Sequence, residues 1–176
     1  MTRRPRAPMP PRIPDLPSPR PVDVLRITWW NEHGWIHEAR HAPAGQRRHA
    51  TFLAVMWWPL LPVVLITQAV VTRRRVGRYY TSPTRDAVIA VRAARDGWHI
   101  EDHMSAHPGH GEGRPLRDRV FPELLAEADR QTITIRIGAA TPGLAHIYQR
   151  EMPGLVDVGP ARPRGRHLIR EPHSAA

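Results

Sequence analysis

The sequence predicts an α/β chain of the α+β kind, with a mixed, mainly antiparallel central sheet flanked by helices. Three observations carry that class. The runs "DAVIAVRAA" (86–94), "WHIEDHMSA" (98–106) and "TITIRIGAA" (132–140) have strand length and strand composition. After the second and third of these, "RPLRDRVFPELLAEADRQ" (114–131) and "TPGLAHIYQREM" (141–152) carry apolar residues at helical spacing. The short turn "RDG" makes the first two runs antiparallel neighbours, with Gly97 taking the φ > 0 position.

The 176 residues suffice for one domain with a real core plus a tail. Cysteine is absent, which excludes disulfides, thiolate metal sites and thiol catalysis. The formal net charge is +10, and all 26 basic residues are arginine. Arginine-only usage with abundant Ala, Pro and Gly fits a GC-rich, bacterial type of coding bias. The choice of Arg over Lys therefore says little about mechanism, but the charge itself favours anionic partners such as phosphorylated cofactors or an acidic membrane face.

Residues 1–21 hold eight prolines, five arginines and one acid without apolar periodicity, so a disordered or polyproline-like tail is expected, with the folded domain over 22–176. No apolar h-region follows the basic start, so the segment is not a secretory signal. "VDVLRITWW" (22–30) alternates well enough for a first strand, and "NEHGWIHEARHAPAGQRRH" (31–49) reads as a polar loop with a short helix around Trp35 to Arg40.

The run 50–71 is uncharged over 22 residues, and as a straight helix it would reach about 33 Å. Pro59 and Pro62 lie inside it, Trp57 and Trp58 are central, and arginines flank both ends. A helical segment over 50–72 is expected, either as a buried pair joined at the prolines, as a shallow membrane contact, or as a span. A cytoplasmic protein, in contact with the inner membrane face through 50–72, is the matching location.

The remaining elements follow in order. "VGRYYTS" (76–82) is a strand or turn, 86–94 a buried strand, and 98–106 its antiparallel neighbour. The helix over 114–131 presents Leu116, Val120, Leu124, Leu125 and Ala128, with Pro122 bending it. The helix from Thr141 has a Thr N-cap and Pro at the first position, and "LVDVGPA" and "RHLIREP" close the sheet.

Between strand and helix lies "HPGHGEGRPL" (107–116), with glycine at every second position from 109 to 113. It serves either as a plain turn or as an anion seat, where free N–H groups and the helix dipole converge. It is not a P-loop, because no Lys-Ser/Thr pair follows, and its spacing is not that of a dinucleotide fingerprint.

The order strand 98–106, Gly-rich loop, long helix, strand 132–140, helix with Tyr148, "MPGL", strand resembles the GCN5-related N-acetyltransferase (GNAT) superfamily over about residues 76–171. The resemblance implies acetyl-CoA as donor, an amine acceptor of small-molecule or protein type, and no metal. It places the cofactor pyrophosphate on Gly109, His110, Gly111, Glu112, Gly113 and Arg114. It also implies a backbone N–H near Met104, Ser105 and Ala106 as oxyanion donor, a base among Glu101, Asp102 and His103, and Tyr148 as the acid that protonates the departing thiolate. The hydrophobic run then stands where the family's first two helices shape the acceptor side. Two departures stand out: Pro108 occupies the family's Arg/Gln position, and Leu155 replaces the usual aromatic. They leave a second expectation, a catalytically inactive accessory protein on a membrane or other anionic partner.

Histidines 99, 103, 107 and 110 would make a metal-binding stripe only on one continuous helix, which Gly97, Pro108 and Gly109 interrupt. Nucleic-acid binding lacks a helix-turn-helix or zinc pattern to go with the arginines.

Overall fold

A computed structural model of the chain describes residues 5–41, 44–73, 76–107, 110–161 and 165–173. Two helices, α1 (Pro21–His41) and α2 (Ala44–Arg73), precede strands β1 (Gly77–Thr81), β2 (Ala87–Ala94) and β3 (Gly97–Ser105). Helix α3 (Gly113–Arg130), β4 (Ile135–Ala139), α4 (Pro142–Glu151), β5 (Val156–Pro160) and β6 (Arg166–Arg170) follow. The strands form one six-stranded sheet in the order β1-β2-β3-β4-β6-β5, antiparallel at every pair except β3 and β4. That parallel pair is joined through α3, the kind of crossover a parallel connection needs. The mixed, mainly antiparallel class read from the sequence is therefore the observed one.

Helices α3 and α4 cover one face of the sheet. Trp98, Tyr80, Phe121, Leu124, Ile135 and Tyr148, each at most 2% exposed, form the centre of that core. Burying side chains of this size supplies about 1.5–3 kcal/mol each before entropy is counted. Thr141 caps α4 as expected, its hydroxyl accepting the Leu144 N–H at 3.1 Å, with Pro142 in the first turn. The turn before β3 is also as expected, with Gly97 at φ 126°.

The N-terminal third differs from expectation. Residues 22–30 are helical, not a strand, and the loop expected over 31–49 is helical where it is described, 31–41 continuing α1 and 44–49 opening α2. Asp23, Ile27 and Trp30 are buried at i, i+4 and i+7, and Ile27 and Trp30 pack with Val88 on the other face of the sheet. Pro21 opens the helix, and the Asp23 carboxylate reaches back to accept the Arg20 N–H at 2.6 Å, half of a capping box. The same carboxylate is ion-paired with Arg85 from the β1–β2 turn, which fastens α1 to the sheet. Helix α2 runs through Pro59 and Pro62 as one element. Both prolines lie on its exposed side, and each removes the N–H that would have bonded the carbonyl four residues earlier, those of Val55 and Trp58. Among the described residues, no helix is long and apolar enough to cross a membrane.

The Pro/Arg-rich segment expected to be disordered is packed from residue 5 onward. Prolines cannot donate to a sheet ladder, so the sheet reaches out to the segment's carbonyls instead. Trp98 Nε1 donates to the Pro8 carbonyl (2.7 Å), Arg78 Nε to Pro10 (3.1 Å) and the Tyr80 hydroxyl to Pro11 (2.7 Å). Ala7, which retains its N–H, donates it to the Ala94 carbonyl at 2.8 Å, and Ile13 enters the core.

Candidate active site

Strands β3 and β4 pair only through Trp98, His99 and Ile100 against Ile135, Arg136 and Ile137. Beyond Ile100 the two strands part, and the rest of β3 remains joined only to β2 on its other side. Between Val91↔Ile100 and Ile89↔His103 the register slips, so Glu101 and Asp102 together oppose Ala90. Such a bulge reverses which face the following side chains take. His103 consequently points to the α3/α4 face, while Met104 packs with Ile27, Trp30 and Val88 on the α1 face.

Backbone alternation identifies the free groups. The Ala106 N–H donates to the Asp86 carbonyl at 2.7 Å, so it is spent on the β1–β2 turn and does not match the donor expected there. Residues 104 and 106 therefore bond toward β2, which turns the N–H groups of His103 and Ser105 to the open side that β4 has left. The Ser105 hydroxyl donates to the His107 carbonyl at 3.3 Å.

Four side chains fill the wedge between α3 and α4. Arg117 clamps Glu151 with two bonds, Nε to Oε2 at 2.5 Å and Nη2 to Oε1 at 3.0 Å. Arg117 Nη1 also reaches His103 Nε2 at 3.2 Å, and His103 Nδ1 lies 2.8 Å from the Tyr148 hydroxyl. An arginine has only donors, so the ring nitrogen facing it is the acceptor and the His103 proton sits on Nδ1. Tyr148 then accepts from His103, and its own O–H proton is left uncommitted. Burial first, and the Arg117 charge second, push the His103 imidazole down to about 4, against an opposing hydrogen bond with the Gly113 backbone. It is neutral near pH 7. Burial also raises the Tyr148 hydroxyl, with Arg117 opposing and the Glu151 charge assisting, so it stays protonated. The Tyr148 ring is 2% exposed and meets Phe121 edge-on at 6.2 Å.

The glycine turn sits directly above this cluster. A Cβ on Gly113, the first residue of α3, would come within 2.4 Å of His103 Nε2, so only glycine lets the helix start so close to the imidazole. Gly111 has φ 78° and open space around it, with its carbonyl accepting the Arg114 N–H at 2.9 Å. Glu112 precedes the helix without capping it; its carboxylate instead accepts the His107 N–H (3.1 Å) and meets His107 Nδ1 (2.5 Å). The first turn of α3 thus has no side-chain cap and no acid, although its Arg114 N–H is taken by Gly111 and Pro115 has none to offer. His110 stacks edge-on against His107 at 6.0 Å, and Arg114 is exposed beside Asp118 at 3.8 Å. Gly109, Pro108 and the Asp102 side chain lie outside the described residues.

Glu101 is not with this cluster. It faces the opposite side of the sheet, paired with Arg92 at 2.5 Å, and lines a 520 Å³ groove with His99, Arg136, Gly138 and His167. The structure brings together His103, Tyr148 and Gly113, and separates Glu101 and Met104 from them. Arg117 and Glu151 were missed by sequence reasoning. The available signal was an arginine on the apolar stripe Gly113, Arg117, Val120, Leu124, with an acid three residues after Tyr148.

No family model matches the chain, and no curated protein matches it by sequence. Solved structures do resemble it. An acetyltransferase from Thermus thermophilus superposes with a TM-score of 0.56 at 12% identity, covering 89% of this chain and 96% of that one. The PaiA N-acetyltransferase from Thermoplasma acidophilum, in complex with coenzyme A, gives 0.55 at 7% identity, covering 89% and 98%. With the sheet parting after Ile100, the glycine turn feeding α3 and α4 packed behind the gap, the chain has the fold of the GCN5-related N-acetyltransferases.

Proposed function

We propose that the chain is an N-acetyltransferase that moves an acetyl group from acetyl-CoA to an amine. The observation that carries this reading is the gap between β3 and β4, with Tyr148 and His103 at its closed end and the uncapped start of α3 at its open end. Gly111, Gly113 and Arg114 fit a phosphate-bearing group: the turn leaves space at Gly111, the helix start carries neither a side-chain cap nor an acid, and a guanidinium stands beside it. Glu112, the acid of the turn, is taken up by His107.

Bound in that gap, the donor supplies a thioester. His103 and Ser105 hold out N–H groups along the strand edge. Tyr148 retains its proton through burial and is oriented by His103, which suits it to give that proton to a departing thiolate. An amine approaching from the opposite face would enter the groove in which Glu101 and His99 lie. Calorimetric titration with acetyl-CoA tests the reading. Micromolar binding that is lost in Gly111→Glu supports it, and absence of binding by a folded wild-type chain ends it.

A second reading concerns where the enzyme works. Phe52, Val55, Met56, Val63, Ile66 and Val70 lie along one exposed side of α2, and the chain carries a net charge of +10. We propose contact with an anionic lipid surface through that side. Flotation with anionic vesicles, absent with neutral ones and lost in Val63→Asp/Ile66→Asp, is the expected result.

A further inference from the structure

Helices α1 and α2 enclose a small cavity on the side of the sheet away from His103. Its volume is 180 Å³, below the roughly 300–1,000 Å³ of pockets for drug-sized ligands. Three tryptophans, Trp29, Trp57 and Trp58, dominate the lining, with Leu61 and Leu65 beside them. Trp29 and Trp58 meet edge-on at 6.4 Å and are half exposed, forming the rim. The remaining polar wall is Thr28, whose hydroxyl donates to the Val24 carbonyl at 2.8 Å and so is spent on its own helix.

Glu32 also lines this cavity. It is 1% exposed, and neither carboxylate oxygen has a hydrogen-bond partner among the described residues. A buried carboxylate without donors is costly, so an unpaired one facing a cavity calls for a cation or a proton. Burial raises its pKa, opposed by neighbouring His33, whose ring stacks on Trp29 at 4.5 Å; α2 lines the cavity with no charged side chain. The aromatic walls add a second attraction for positive charge, since ring faces draw cations when water is excluded. A carboxylate floor with indole walls selects an organic ammonium over a metal ion, which would require several oxygen ligands.

We propose that the Glu32 cavity between α1 and α2 binds a small primary ammonium with an aromatic or branched aliphatic body. The ammonium donates to the orphaned carboxylate oxygens and the body lies against Trp29, Trp57 and Trp58. This site stands apart from the glycine turn and does not depend on acetyl transfer.

The test is calorimetric titration of the full chain, without acetyl-CoA, using 2-phenylethylamine and its neutral counterpart 2-phenylethanol. At mildly alkaline pH the amine should bind roughly ten- to a hundredfold more tightly than the alcohol, the range expected for a hydrogen bond to a charged group. Glu32→Gln should erase that preference, while Glu32→Asp, which keeps the charge, should retain part of it. Trp58→Ala should weaken both ligands. Equal binding of amine and alcohol, or an unchanged preference in a folded Glu32→Gln variant, overturns the proposal. No binding of either ligand by the wild type does so too, leaving a water-filled pocket over a protonated carboxyl.

Discussion

The His103 imidazole Nδ1 lies 2.8 Å from the Tyr148 hydroxyl, tying strand β3 to helix α4 just beyond the point where β3 and β4 part. Arg117 occupies the other ring nitrogen, so the contact has one polarity: His103 donates and Tyr148 accepts. Tyr148→Phe would leave the buried His103 N–H without an acceptor. The expected loss is about 1–3 kcal/mol in denaturant unfolding, the cost of an orphaned buried donor. Turnover should fall while affinity for acetyl-CoA stays nearly unchanged; unchanged turnover would remove Tyr148 from the mechanism.

His103 also sets a pH dependence. Its folded pKa of about 4 lies below the ordinary value of 6.5, so between those values the unfolded chain binds more protons. Stability is fully present above pH 6.5 and is lost as pH falls toward 4, by at most about 3 kcal/mol. Unfolding curves across this range should be steeper in pH for the wild type than for His103→Gln. Equal slopes would show that the imidazole titrates normally.

Arg117 and Glu151 should behave as a pair. Arg117→Met strands the half-buried Glu151 carboxylate and is expected to cost about 2–4 kcal/mol, less than for a fully buried pair because Glu151 keeps some solvent contact. Arg117→Met/Glu151→Met should recover most of that loss. Removing the Arg117 charge should also move the His103 pKa back up, readable as an imidazole titration by NMR.

At the glycine turn, Gly111→Ala tests backbone geometry alone. With φ at 78° and open space around the position, the methyl group meets no neighbour, and the expected penalty is about 1 kcal/mol of backbone strain. Gly113→Ala should cost more, because its methyl group would press on His103 and Arg117, and the Tyr148 contact should loosen with it.

The sequence made β2 to β6, α3 and α4 legible because their periodicity agreed with their turns and caps: Gly97, Thr141 and Pro142 each stand where the chemistry of a turn or helix start requires. It misled at 22–30, where Val22, Val24, Ile27 and Thr28 carry strand propensity and the helix signal lay in Pro21 and Asp23. The proline segment looked unable to order because, without apolar periodicity, it offered too little surface to offset its ordering entropy; hydrogen bonds from Trp98, Arg78 and Tyr80 to its carbonyls order it from the other side. In the site, Tyr148 and the glycines are named through the family resemblance, and the structure places Tyr148 and Gly113 together beside His103. The bulge at Glu101 and Asp102 could not be named in advance, since a one-residue slip leaves no compositional mark. That slip is why His103 joined the cluster and Glu101 left it.

Three residue pairs are all that stitch β3 to β4, so the sheet is two leaves sharing a short seam. One leaf carries β1, β2 and β3, the other β4, β6 and β5, and the Arg117–Glu151 clamp bridges helices lying over both. A seam this short is the place where the molecule should breathe, with amide protons of β4 exchanging through local opening before those of β2. Any ligand that fills the gap becomes a rivet between the leaves. Its presence should then be felt first as slowed exchange along β4 and β6, well away from the atoms it touches.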